Sequence, residues 1–170
     1  MKSIFHKTIL LLLSVSCVLS SLETEPYYPI FQKYSREFHK VDSFRKLVDI
    51  NATYLSSEFK EAFQKKWNPP KSSLNLPENG FLVSLFTPEP QRSDLTDTQI
   101  WKVYIEQSGQ KIFPTSITSI KDKIWLDLYF PYNNHWTEEY FVNFSKDSIN
   151  LPFTLILTSP FVTAQLDWKI

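Results

Sequence analysis

Few residues in this sequence are of types and spacings that do chemistry. Cys17 is the single thiol among 170 residues and closes the apolar run ILLLLSVSC. One thiol cannot form an internal disulfide or supply a cysteine-based zinc cluster. That leaves oxidation, intermolecular bridging or acylation as its chemistry. His135 stands in PYNNHWTEEYF beside Asn133, Asn134, Glu138 and Glu139, a set with the groups for acid–base or metal chemistry. A metal needs three or four converging ligands, and the other histidines, His6 and His39, are remote in sequence, so this segment reads as a polar turn between strands. Glu138 and Glu139 are adjacent and on a strand would point to opposite faces. Asp94 and Asp97 in QRSDLTDT lack the spaced acids and glycine of a calcium loop and read as solvated turn residues. No serine has the glycine-flanked elbow of a hydrolase nucleophile. No catalytic residue, cofactor or metal is therefore expected.

The aromatic residues are the stronger binding signal. Trp125 and Tyr129 alternate with Ile124, Leu126 and Leu128, and Tyr132 and Trp136 follow in the next turn. An exposed platform of Trp125, Tyr129 and Trp136 would take a sugar ring or a protein partner. Helices packed over the same face would instead bury these rings, and burial is the favoured expectation. Lys+Arg and Asp+Glu balance at 18 each, so the basic surplus of a nucleic-acid binder is missing. With glycine only at positions 80 and 109, the glycine-rich turns of nucleotide-binding folds are missing too. Two N-x-S/T sequons, at Asn51 and Asn143, fall mid-strand and are read as chance.

The N-terminus has the parts of an export signal. Lys2 and Lys7 precede a short apolar run, and small residues follow, which is the arrangement of a secretory leader rather than a membrane span. Two outcomes are open. A signal peptidase could cut after Ser20, with Val18 and Ser20 at the small-residue positions. Alternatively, Leu13, Ser14, Val15, Ser16 and Cys17 resemble a bacterial lipoprotein signal, with the leucine four places before the cysteine instead of three, a looser spacing known in spirochaetal lipoproteins. Acylation of Cys17 would remove an unpaired thiol and anchor the chain through several acyl tails. The lipoprotein outcome is favoured: residues 1–17 form the leader with its lipidation cysteine, and 18–29 form a tether.

The elements behind these residues follow from periodicity. Apolar residues at helical spacing predict a helix over 30–41. Alternation of Val48, Ile50, Ala52 and Tyr54 with polar residues predicts a strand over 45–55. Ser56 or Ser57 then offers an N-cap for a helix carrying Phe59, Ala62, Phe63 and Trp67, stopped by Asn68-Pro69-Pro70. From Gly80 the pattern is strand after strand: 81–86, 100–107, a hairpin partner at 111–117 interrupted by Pro114, 124–130, a strand through Tyr140 and Val142, then 153–158 and 162–168. Seven or eight short strands without intervening helices predict a mainly β fold. The expected form is an antiparallel, immunoglobulin-like β-sandwich over 81–170 with a small helix–strand–helix part over 30–67, one domain spanning 30–170.

The blocks ATYLSSEFKEAF (52–63), FLVSLFTP (81–88), IWKVYIEQSGQKIFPTSI (100–117) and YFPYNNHWTEEYFVNF (129–144) resemble a group of uncharacterised bacterial lipoproteins in which a helix precedes a β-rich half. The resemblance spans most of the chain from about residue 41. It implies the lipoprotein address and the architecture, and no activity. The expectation is a membrane-anchored envelope protein at the outer membrane or periplasmic face, held to the bilayer by acylated Cys17, with a non-catalytic binding or structural role. The alternative is a secreted carbohydrate-binding module.

Overall fold

The computed structural model describes residues 27–69, 76–145 and 148–169. Cys17, the leader and most of the 18–29 tether lie outside the described residues. Helix α1 (Tyr27–Tyr34), strands β1 (Ser35–Asp42) and β2 (Arg45–Tyr54), helix α2 (Ser57–Trp67) and strand β3 (Gly80–Phe86) come first. They are followed by β4 (Lys102–Gln107), β5 (Gln110–Ile112), β6 (Ser116–Ser119), helix α3 (Ile124–Tyr129), β7 (Glu138–Asn143), β8 (Phe153–Ser159) and β9 (Val162–Trp168). The strands form two antiparallel sheets, β1-β2-β3-β7-β6 and β5-β4-β8-β9. The fold is mainly β with a few short helices.

The inner faces of the two sheets supply the main core. Val48, Ile50 and Ala52 of β2, Phe81, Val83 and Leu85 of β3, and Leu155 and Leu157 of β8 are all fully buried. At one end of this core Phe81, Phe153 and Trp168 meet with ring centroids 5.3 to 5.7 Å apart. Side chains join the edge strands β1 and β9: Arg36 Nε donates to the Asp167 carbonyl at 2.7 Å, and Lys40 Nζ to that of Phe161 at 2.7 Å. A third layer covers the outer face of the five-stranded sheet. Phe31 of α1, Phe59 and Phe63 of α2, and Phe130 just after α3 pack ring on ring within 6.4 Å. Beneath this layer Leu82, Ser84 and Glu139 are inaccessible to solvent.

Local chemistry sets several boundaries as expected. Ser56 caps α2, its hydroxyl accepting from the Phe59 amide at 3.1 Å, and Asn68 ends the helix in the left-handed region at φ 42°. The cap satisfies one of the orphan N–H groups of the first turn. Ser56→Ala is expected to cost about 1 kcal/mol in urea denaturation with an unchanged slope. Both glycines answer to geometry. A Cβ on Gly80 would lie 2.2 Å from the Val142 carbonyl oxygen, and Gly109 turns the β4–β5 hairpin at φ +76°.

Four expectations are corrected. The helix over 30–41 ends at Tyr34, and β1 takes over from Ser35. Pairing along β2 gives the inward side of the 35–42 backbone its partners, and this tertiary gain outweighs a short local helical pattern. Tyr27 is only 3% exposed and packs on Phe59, Phe63 and Trp67, so the folded domain includes 27–29, which the tether reading had excluded. Its N-terminal part is helix–strand–strand–helix. The strand over 124–130 is instead helix α3, with Leu126 and Tyr129 buried while Ile124 and Leu128 face solvent. Asp127 is the one charged residue in IWLDLYF, so either period fits it. The hairpin partner over 111–117 divides around Pro114: β5 pairs with β4, and β6 pairs with β7 in the other sheet. Both flanking strands are sheet edges, where proline's missing N–H costs no ladder bond.

Candidate functional site

On the outer face of the five-stranded sheet the register places polar residues abreast. Asn51 of β2 lies opposite Ser84 of β3, which lies opposite Glu139 of β7. All three are buried, Ser84 and Glu139 completely. Segment 130–137 connects the helical layer to β7 along this seam. At one end the Tyr132 hydroxyl meets Thr53 Oγ1 at 2.8 Å, and Ser35 Oγ continues the chain at 2.8 Å. Burial pushes the Tyr132 hydroxyl far up, with the Thr53 bond opposing. At the other end Thr137 Oγ1 lies within hydrogen-bond reach of Glu139 Oε1 and of the Asn134 carbonyl, its single proton serving one acceptor at a time.

A buried carboxylate needs a cation, and Lys123 at the start of α3 supplies it. Its Nζ is 2.9 Å from Glu139 Oε2 and 3.3 Å from Glu138 Oε2, and it donates to the Thr137 carbonyl at 2.5 Å. Glu138 and Glu139 leave the strand on opposite faces, as their adjacency requires, yet both reach this one lysine. Burial pushes the Glu139 carboxyl up against the pull of Thr137 and Lys123. Burial also lowers Lys123, but the two carboxylates outweigh it and hold the ammonium above its ordinary value. Sequence reading missed this pair because Lys123 looks like any polar residue before an apolar run.

Beside the seam lies a groove of about 480 Å³ lined by Lys46, Asp49, Phe86, Pro88, Asn134, Trp136 and Thr137. Trp136 is 69% exposed. Its backbone N–H donates to Asn134 Oδ1 at 2.9 Å, an Asx turn that orders the segment. Asp49 is held by His39 Nδ1 at 2.7 Å and by Lys46. The groove therefore offers a flat aromatic plate, a fixed carboxylate, an ammonium and an amide. These groups recognise and orient a ligand.

The three sequence-selected aromatics do not form one platform. Trp125 is half-buried and stacks on Tyr129 at 6.2 Å. Tyr129 is 4% exposed and packs against Phe63 and Trp67 of α2 at 5.2 and 5.3 Å. Burial under the N-terminal helices is thus the outcome for Tyr129, and Trp136 alone lines the groove. His135 is exposed in the turn with its ring 4.3 Å from Trp136. Asp94 and Asp97 close local turns, accepting from the amides of Thr96 and Gln99. Asn51, the first sequon, is buried. Among the described residues no three His, Cys, Asp or Glu side chains converge as a metal site, and no helix is long and apolar enough to cross a membrane. Compared with protein-family models, curated proteins and solved structures, the chain has no significant match.

Proposed function

We propose that this chain is a membrane-anchored envelope lipoprotein with a non-catalytic binding role, tethered through acylated Cys17 and presenting the Trp136 groove to its ligand. The observation that carries the binding role is the exposed Trp136 beside a carboxylate already held by Lys46 and the His39 ring. An exposed indole in water is retained at no gain to the core, and beside oriented polar groups it suits a ligand with one flat apolar face. The anchor rests on the run ILLLLSVSC and on the resemblance to bacterial lipoproteins. The immunoglobulin-like form of the sandwich is proposed on the same terms, supported by two antiparallel sheets and the crossing from β5 to β6. A sugar ring is the second reading of the ligand, since stacking on Trp136 with hydrogen bonds to Asp49 and Asn134 is the chemistry it requires.

Two measurements test this. Metabolic palmitate should label the wild type and not Cys17→Ala; no label in either sinks the anchor. On a glycan array, binding should be lost in Trp136→Ala while its melting temperature stays within about 2 °C of wild type, as expected for a surface substitution. A blank array with the wild type ends the sugar reading. Hits that survive Trp136→Ala remove the groove from it.

A further inference from the structure

A second aromatic surface lies at the helical end of the domain. Its rings form a ladder of contacts: Tyr28 to Tyr27 at 5.7 Å, Tyr27 to Trp67 at 6.0 Å, Trp67 to Tyr129 at 5.3 Å and Tyr129 to Trp125 at 6.2 Å. The inner members are buried, but Tyr28 is 50% exposed, and Trp67 and Trp125 are half-buried. Ile124 and Leu128, one turn apart on α3 beside the Trp125–Tyr129 row, are 77% and 58% exposed. Lys66 Nζ lies 5.3 Å from the centre of the Trp67 ring, and Lys65 beside it is exposed.

From this surface we infer that the helical end of the domain rests on the lipid bilayer, with Tyr28, Trp125, Ile124 and Leu128 seated at the headgroup boundary. The inference builds on the anchored reading. Tyrosine and tryptophan concentrate at bilayer–water boundaries, where a ring meets the acyl chains and a polar atom meets headgroups. The two exposed aliphatic side chains add apolar burial, and Lys65 and Lys66 suit anionic headgroups. The position of the chain's entry selects the bilayer over another partner. Tyr27 is itself a rung of the ladder, and only residues 18–26 separate it from Cys17. Nine residues reach at most about 30 Å, so an anchored domain cannot carry this end far from the membrane.

The test uses the full-length protein isolated from membranes and reconstituted into phosphatidylcholine–phosphatidylglycerol vesicles whose acyl chains are brominated near the headgroup. Bromine quenches indole emission on contact. Trp101 and Trp168 are buried in the domain, as is the indole nitrogen of Trp67, so quenching is expected to come from Trp125. It should persist in Trp136→Phe and be lost in Ile124→Asp/Leu128→Asp, with Leu128→Ser as a milder variant should the double change disturb folding. Palmitate label with no quenching overturns the docking and leaves the anchor standing. Absence of label refutes the anchor alone. The same vesicles are then added to the secreted protein, where quenching that depends on Ile124 and Leu128 supports the docking and its absence overturns it.

Discussion

Trp168→Ala is expected to destabilise the domain by about 4 kcal/mol, the range for emptying a buried aromatic site. Trp168 has no solvent exposure and touches three parts of the fold. Its ring stacks on Phe153 of β8 at 5.3 Å and lies 5.3 Å from Phe81 of β3, so it bridges the two sheets. Its indole Nε1 donates to the Tyr34 carbonyl at 2.9 Å, where α1 gives way to β1, and the Arg36 guanidinium lies 5.5 Å from the ring centre. Alanine opens a void that these aromatic neighbours cannot close and leaves a buried carbonyl without its donor. A melting temperature about 8 to 16 °C lower follows for a chain of this size. Trp168→Phe refills much of the volume but not the hydrogen bond, and should cost about 1–2 kcal/mol. Equal losses in the two variants would show that the hydrogen bond, and not packing, dominates the site.

Lys123→Ala should cost about 3 kcal/mol at pH 7 by stranding the Glu139 carboxylate where water cannot reach it. The pH dependence separates this cause from lost packing. Burial raises the folded-state pKa of Glu139 above its unfolded value, so between the two the folded state holds more protons. The stabilising, protonated form is fully present below the unfolded pKa, and its contribution is lost as pH rises through the folded one. Removing Lys123 takes away a group that pulls the carboxyl down, which raises that folded pKa further. The Lys123→Ala deficit should therefore shrink as the pH falls from 7 toward 5, and the double variant Lys123→Ala/Glu139→Gln should recover most of it at pH 7. Urea denaturation of the three proteins at both pH values is the measurement. A deficit independent of pH and unrelieved by Glu139→Gln would mean that Lys123 acts through its aliphatic stem.

Much of the fold was legible where local and tertiary preferences agree. β2 was readable because Val48, Ile50, Ala52 and Tyr54 fill one face while Asp49, Asn51 and Thr53 occupy the other. α2 carried its own cap and stop, and the 108–109 turn was marked by glycine. Reading failed where the signal was degenerate or the deciding partner was distant. Residues 124–130 hold a single charged residue, Asp127, among apolar ones, so both periods fit and packing against α2 selects the helix. Residues 35–42 have helical spacing but gain more from the hydrogen bonds of β2. Trp125 and Tyr129 are four apart, a spacing that puts them on one face of a strand but brings their rings into contact only on a helix, so their stacking followed from the helix and was not legible beforehand.

By itself the sequence determined the mainly β fold class, most strand positions and the cap of α2, because each depends on residue type and short-range spacing. Only the tertiary structure decided which aromatics are available. Trp136 is exposed over a groove because segment 130–137 runs along the sheet and ends in an Asx turn. Tyr129 is buried because α2 lies against it. The row Asn51–Ser84–Glu139 and its lysine likewise exist only through strand register, which brings together residues up to 88 positions apart. Side chains so distant in the chain share an environment once the backbone has paired, and local spacing holds no record of that pairing.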